Sequence, residues 1–290
     1  MTMLKESTIL HLRFPFSLFL MPIYFFALSQ SMAMDTTNMI LAYVILHLFV
    51  YPASNGFNSY YDKDEESIGA LEEPPPVSEE LLFASLMMDA VALVLAAIIG
   101  WQFTIMVFIY GMISKAYSHP AVRLKKYPMG GWLTAIIFQG AYTYFMVYMA
   151  INDLNITEIF TPDILFPATI STVLLGGFYP ITQIYQHNED RKRGDKTLSL
   201  LLGIQNTFFF AGMMYLIADL GFLFYFVSYF SILPFLILQI FLLPVLYYFV
   251  QWFRKSLQDL DEVNFQNTMR MNLIASSSLI AYFIFFIIYF

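Results

Sequence analysis

The chain has 290 residues, 59% of them hydrophobic and only 12% charged, and its mean hydropathy is +0.65. With 31 Phe and 20 Tyr against 14 Lys and Arg, it holds too few charges to coat a water-soluble globule, so a soluble enzyme is excluded and most of the surface must face lipid. The absence of Cys removes disulfides, thiolate nucleophiles and cysteine metal sites, and a net charge of -7 argues against nucleic acid as a partner.

A spanning helix needs about 20 mainly apolar residues. Cutting the chain at its polar clusters predicts an all-α, polytopic membrane protein of nine transmembrane helices, near 11–33, 36–60, 80–100, 103–117, 131–151, 163–187, 197–218, 223–252 and 270–290. The fourth is short. The eighth is long and carries Pro234 and Pro244, which predict a kink or a split. Residues 1–290 read as a single transmembrane domain without internal repeats, and Glu72-Glu73-Pro74-Pro75-Pro76 marks a loop between the second and third helices. No small-residue cleavage site follows the N-terminal segment, so the first span is expected to be retained.

Sidedness gives a separate test, because cytoplasmic connections should carry the Lys and Arg. All 14 fall on one side: Lys5 and Arg13 at the first helix, Lys63 after the second, and Lys115, Arg123, Lys125 and Lys126 at or after the fourth. Arg191, Lys192, Arg193 and Lys196 follow the sixth, and Arg254, Lys255 and Arg270 lie between the eighth and ninth. The opposite connections, near 31–35, 101–102, 152–163 and 219–222, hold none. The pattern predicts a cytoplasmic N-terminus. A bacterial inner membrane is the expected location, from compactness and the absence of targeting segments.

Charges in so apolar a chain should collect where something uses them. If the second helix continues through the run Asn55 to Glu66, then His47, Tyr51, Asn55, Asn58, Asp62 and Glu66 recur at steps of three or four and share one face. At the end of the sixth helix, Tyr179, Gln183, Gln186 and Asp190 share another, followed at once by a basic loop. Hard oxygens from two facing helices suit Mg²⁺, which takes one or two carboxylates and completes its shell with water and phosphate. Cations beside them would clamp phosphate oxygens, so the expected ligand is a diphosphate. A third element, Tyr117-Ser118-His119-Pro120 with Arg123, Lys125 and Lys126, and Lys115 one turn back, adds positive charge on the same side.

Solvated counter-ions are the plainer reading for Arg254, Lys255, Asp259, Asp261 and Glu262. Asp89, near the middle of the third helix, is an intramembrane carboxylate with no partner legible in the sequence.

Taken together, these motifs resemble the UbiA-type superfamily of intramembrane prenyltransferases. Asn58, Asp62 and Glu66 fall on the main positions of that family's first Asp-rich motif, and Gln186-His187-Asn188-Glu189-Asp190 is similar to its second. Gly194, Lys196 and Thr197 match the ending common after it. The loop from Tyr117 through Pro120 to Lys125 resembles an element of the menaquinone and chlorophyll branches. Departures are Gln186 for the first Asp of the second motif, Ser59 for the Asp after Asn58, and Glu66 for a shorter Asp. The basic segment often found after the first motif is missing, and Glu73-Pro74-Pro75-Pro76 stands there. Asp64, Glu65, Glu189 and Asp195 are near enough in sequence to compensate for lost charge.

The resemblance implies a bundle with its active site at the cytoplasmic end, and a Mg²⁺-dependent transfer of a polyprenyl chain from an allylic diphosphate to an aromatic or quinone-precursor acceptor, as in quinone biosynthesis. It implies catalytic roles for Asn58, Asp62, Glu66 and Asp190, and metal contacts from Asp62, Glu66, Asp190, Gln186 and Asp64. Diphosphate contacts are expected from Lys125, Lys126, Arg123, Arg191, Lys196, Lys115, Tyr117 and Gln183. Two alternatives keep the fold: a terpene cyclase, in which an internal double bond replaces the acceptor, and a non-catalytic isoprenoid-binding or transport protein.

Overall fold

The structure, a computed structural model, describes residues 4–290. These residues are almost entirely helical. Eight helical segments among them are long and apolar enough to cross a membrane: α1 (Glu6–Ser29), α2 (Thr36–Asp62), α3 (Glu80–Ile99), α5 (Pro128–Asn152), α6 (Pro162–Arg193), α7 (Ile204–Tyr229), α8 (Ile232–Ser256) and α9 (Phe265–Tyr289). The fourth expected span is the helix α4 (Trp101–Ser118), which has 18 residues and is not among the eight, so length and apolarity alone do not give the expected count of nine. The protein is an integral, multi-pass membrane protein.

Several segments are built from unlike pieces, joined near prolines in α1 and α2 and at a close helix contact in α5. In α1 the chain turns at Arg13, which is left-handed at φ 47°, and Pro15 starts a tighter 3₁₀ stretch over Phe14–Leu20 before the helix resumes at Met21–Ser29. In α2 a widened π turn over Ile45–Val50 ends two residues before Pro52. A second π turn, Ile137–Tyr142, sits in α5 where Gly140 meets α6, and a Cβ there would come within 2.7 Å of the Thr172 Cα. That glycine sets the close approach of the two helices. Between α3 and α4 the reversal takes one residue, Gly100 at φ 154°, a conformation that side chains disfavour.

The C-terminal half departs from its expected boundaries. The chain does not turn at 219–222; α7 runs through these residues to Tyr229, and the reversal occurs at Phe230 and Ser231, whose hydroxyl caps Leu233 N–H at 3.4 Å. Gly221 is a packing residue rather than a turn, since a Cβ on it would lie 3.0 Å from Ile170. The start of α7 falls later than 197, because Thr197 caps a separate short helix, Leu198–Leu202, and Gly203 at φ 75° ends it. Helix α8 is neither split nor interrupted. Pro234 stands in its first turn, where a missing N–H costs nothing, and the helix passes through Pro244.

Aromatic packing fills the middle of the bundle. Phe26 of α1 is 1% exposed, stacks on Phe283 of α9 at 4.7 Å, and meets Phe222 of α7 at 5.2 Å and Tyr144 of α5 at 5.4 Å. Helices α3 and α8 bury the least of the eight and present residues such as Phe83, Val94 and Ile240 outward, as lipid-facing helices do.

Candidate active site

The first polar cluster is shaped by the way α2 stops. Its last helical residue is Asp62, and Lys63 takes a left-handed φ of 49° with its N–H donating to Ser59 O at 3.0 Å. The helix therefore does not continue to Glu66, and the expected shared face ends at Asp62. Beyond the reversal Asp64 lines the same cavity as Asp62, whereas Glu66, with a side chain 42% exposed, pairs with Lys192 at 2.6 Å outside the cavity wall. Farther back along α2, Tyr51 lines the cavity, while His47 is buried away from it against Tyr43 and Tyr51.

At the second cluster α6 is not one continuous helix. It breaks after Ile181, passes through a 3₁₀ turn at Ile184–Gln186 and resumes over His187–Arg193, where Gly194 at φ 74° ends it. The break follows Pro180 and changes the register expected for a single face. Tyr179, Gln183, Gln186 and Asp190 nevertheless all line the cavity. After Gly194 the chain folds back, so that Asp195 N–H donates to Asp190 O at 2.9 Å and Thr197 Oγ1 donates to Asp190 Oδ2 at 3.0 Å. Gln186 uses its amide nitrogen as a donor to Ser67 O at 3.3 Å, which an Asp could not do.

Cations interleave with these acids. Lys125, buried, donates to Asn58 Oδ1 at 3.0 Å and to Asp62. Ser118 Oγ donates to the same Asn58 oxygen at 2.6 Å. Arg123 forks onto Asp195, with Nε at 2.9 Å and Nη2 at 2.7 Å, and its Nη1 lies 3.3 Å from Asp62 Oδ1. Arg193 pairs with Asp64 and reaches Glu189 at 3.2 Å. The Asp62 side chain is 2% exposed. Burial pushes the Asp64 carboxyl above the usual carboxylate range, Asp62 adds to the effect, and Arg193 opposes it.

The result is a cavity of about 220 Å³ whose polar end is formed by the end of α2, the loop after α4 and the broken end of α6. Asn58, Asp62, Asp64, Tyr117, Lys125, Gln183, Gln186 and Asp190 are in its wall. Arg123 stands behind Asp62, and Lys126, Arg191 and Lys196 are exposed outside the wall. Lys115 pairs with Asp89 of α3 and lies 5.3 Å over the Phe57 ring, so it partners the intramembrane carboxylate rather than the cavity. Arg13, Arg193 and Thr197 line the cavity without having been assigned to it from the sequence. Arg193 has a sequence signal in its i, i+4 spacing to Glu189; for Arg13 there is none beyond its place in the first span.

Could such a wall hold a divalent ion? Among the described residues no group of three or more His, Asp or Glu stands ready to bind one unaided. What the wall offers is carboxylates from two elements and a buried Gln183 Oε1 with no hydrogen-bond partner among the described residues. Such a set fits Mg²⁺, which asks the protein for one or two carboxylates and takes oxygens from a phosphorylated ligand.

The sequence profile of the UbiA prenyltransferase family matches residues 19–274. The chain belongs to this family. Solved structures agree on the fold. A UbiA homolog from Archaeoglobus fulgidus bound to GPP and Mg²⁺ superposes with a TM-score of 0.67 at 18% identity, covering 97% of this chain and 99% of that one. The same homolog bound to DMAPP and Mg²⁺ gives 0.63 at 16% identity, over 97% and 99%. A structure of digeranylgeranylglyceryl phosphate synthase gives 0.60 at 16%, over 97% and 98%. No curated protein sequence matches this chain. The fold is thus the UbiA fold, and membership identifies an intramembrane prenyltransferase.

Proposed function

We propose that this UbiA prenyltransferase transfers a polyprenyl chain from an allylic diphosphate to an aromatic or quinone-precursor acceptor, with Mg²⁺, at the cytoplasmic face of a bacterial inner membrane. The observation that carries the reading is the convergence of Asn58, Asp62 and Asp64 with Lys125, Gln183, Asp190 and Arg193 on one cavity whose wall also holds aromatic and aliphatic side chains such as Tyr51, Tyr110, Phe138 and Leu20. Relatives of the same fold bind GPP or DMAPP with Mg²⁺.

Each part of the wall has a task in that reaction. Asp62, Asp64, Asp190 and the Gln183 oxygen would hold Mg²⁺, which supplies positive charge to the diphosphate as its bond to carbon breaks. Lys125 and Arg193 reach phosphate oxygens directly, exchanging carboxylate partners for them. Asn58 keeps Lys125 in place through its 3.0 Å contact. Tyr51, Tyr110, Tyr117 and Phe138 present aromatic rings to the cavity, where they shield an allylic cation from water. Leu20 and Ile113 continue the apolar wall for the chain.

Diphosphate release from the purified protein in detergent tests this reading, using geranyl, farnesyl and geranylgeranyl diphosphates with and without Mg²⁺ and with a panel of aromatic acceptors. Release that requires both Mg²⁺ and an acceptor is expected. Release without acceptor, accompanied by a cyclic hydrocarbon, would replace the transferase by a cyclase. Donor binding without release under every condition would leave a binding protein.

A further inference from the structure

A second cavity, of about 410 Å³, lies among α1, α6, α7, α8 and α9 and shares no lining residue with the first. Its wall is aliphatic and aromatic, with no Lys or Arg in it. Four polar side chains interrupt that wall: Tyr215, Asp219, Gln239 and Ser276. Gln239 Nε2 donates to Asp219 Oδ1 at 2.7 Å, tying α8 to α7. The Tyr215 and Ser276 hydroxyls are buried without a hydrogen-bond partner among the described residues. Tyr215 stands one helical turn before Asp219, on the same face of α7.

Buried hydroxyls left unpaired in an apolar wall are costly, and two of them in one cavity with a carboxyl mark a place where a ligand's polar end belongs. The wall also states what that end is not. With no cation to neutralise it, a phosphate or a fatty carboxylate would be buried next to Asp219 uncompensated. A pure hydrocarbon would fill the space and leave Tyr215 unpaired. A hydroxyl satisfies both sides, donating to the Asp219 carboxyl and accepting from the Tyr215 O–H. Leu216, Leu243 and Leu246 line the cavity and are also exposed on the outer surface, so its mouth is on the lipid-facing flank between α7 and α8.

We infer that this second cavity binds a long apolar chain bearing one neutral hydroxyl, taken up from the bilayer, at a site separate from the diphosphate cavity.

The test uses the full-length protein in lipid nanodiscs and a diazirine-bearing fifteen-carbon isoprenyl alcohol, with crosslinked peptides mapped by mass spectrometry. The same chain as a diphosphate serves as the second probe, and unlabelled dodecanol and dodecane as competitors. The alcohol is expected to crosslink the 212–222 and 239–250 segments, and dodecanol but not dodecane to suppress this. Gly212→Leu should block the cavity, since a Cβ there meets only the Phe249 ring, at 3.6 Å, and has open space beyond. Asp219→Leu should remove the hydroxyl's acceptor. Each change should lower alcohol crosslinking at least about tenfold, the scale of one charge-assisted hydrogen bond, and leave diphosphate crosslinking elsewhere as in the unaltered protein. Tyr215→Phe, which removes the hydroxyl's donor and keeps the packed ring, carries the same comparison should the leucine variants fail to remain monodisperse. Crosslinks spread evenly over lipid-facing helices, equal competition by dodecane, or equal labelling of this cavity by the diphosphate would each overturn the inference.

Discussion

Asp62 is gripped from two sides, by Lys125 and by Arg123, and neither cation is adjacent to it in the chain. Its side chain is 2% exposed, and a buried acidic group is tolerated where cations stand against it on both sides. Asp62→Asn keeps the shape and an acceptor for Lys125 but loses the charge. Turnover in the diphosphate-release assay should fall by about 100-fold or more, the scale seen when one preorganised electrostatic contact is removed. Full retention of activity would take Asp62 out of the site.

Two residues on, burial raises the proton affinity of Asp64 despite Arg193. A group whose folded pKa is raised contributes stability that is fully present below the unfolded value, about 3.9 for Asp, and is lost as pH climbs through the raised value. Asp64→Asn carries no such titration. Its melting temperature in detergent, measured against that of the unaltered protein, should therefore rise as pH goes from about 4 to 7. A difference that stays flat, or runs the other way, would mean that Arg193 outweighs burial.

The elements that matter most are those that stop or bend. Lys63 ends α2 in a left-handed turn and sends Asp64 rather than Glu66 toward the cavity; the break after Ile181 reorients the end of α6. On the far side of α2, the Asp89–Lys115 pair joins α3 to α4, and Lys115 over the Phe57 ring joins both to α2. This pair is structural. Asp89→Leu leaves an ammonium group at membrane depth and should destabilise the fold by about 3 kcal/mol, while adding Lys115→Met should recover most of the loss. Thermal unfolding of the two single variants and the double variant measures the coupling, and simple additivity would show that the residues do not act as a pair.

Across the whole molecule, the cysteine-free sequence makes sidedness directly measurable. Ala121, in the basic loop after α4, and Ile156, after α5, are both exposed. Introduced singly, Ala121→Cys should resist a membrane-impermeant maleimide applied from outside intact cells, and Ile156→Cys should react with it. Labelling of both from one side would overturn the orientation and the crossing of α5 with it. The same experiment checks the reading of α4, which reaches the length of a span in 18 residues but not its apolarity.

The amino-acid sequence by itself determined that this is an all-helical membrane protein, where most of its spans lie, and which polar clusters gather at one cavity. Hydropathy and helical spacing are local properties, so Asn58, Asp62, Gln183, Gln186 and Asp190 could be recognised without knowing what they face. Only the tertiary structure decided the pairings. Arg193 rather than Arg191 reaches the cavity because of the register of a helix seven residues long, His187–Arg193. Lys115 goes to Asp89 because two antiparallel helices joined at Gly100 bring residues 26 apart into contact. The turn between α7 and α8 lies at Phe230 and Ser231 rather than at 219–222, because Asp219, the polar residue that suggests a break there, accepts from Gln239 of α8 inside the bundle. Which charge meets which is fixed by helix rotation, breaks and close approach, and these depend on residues far away in the chain.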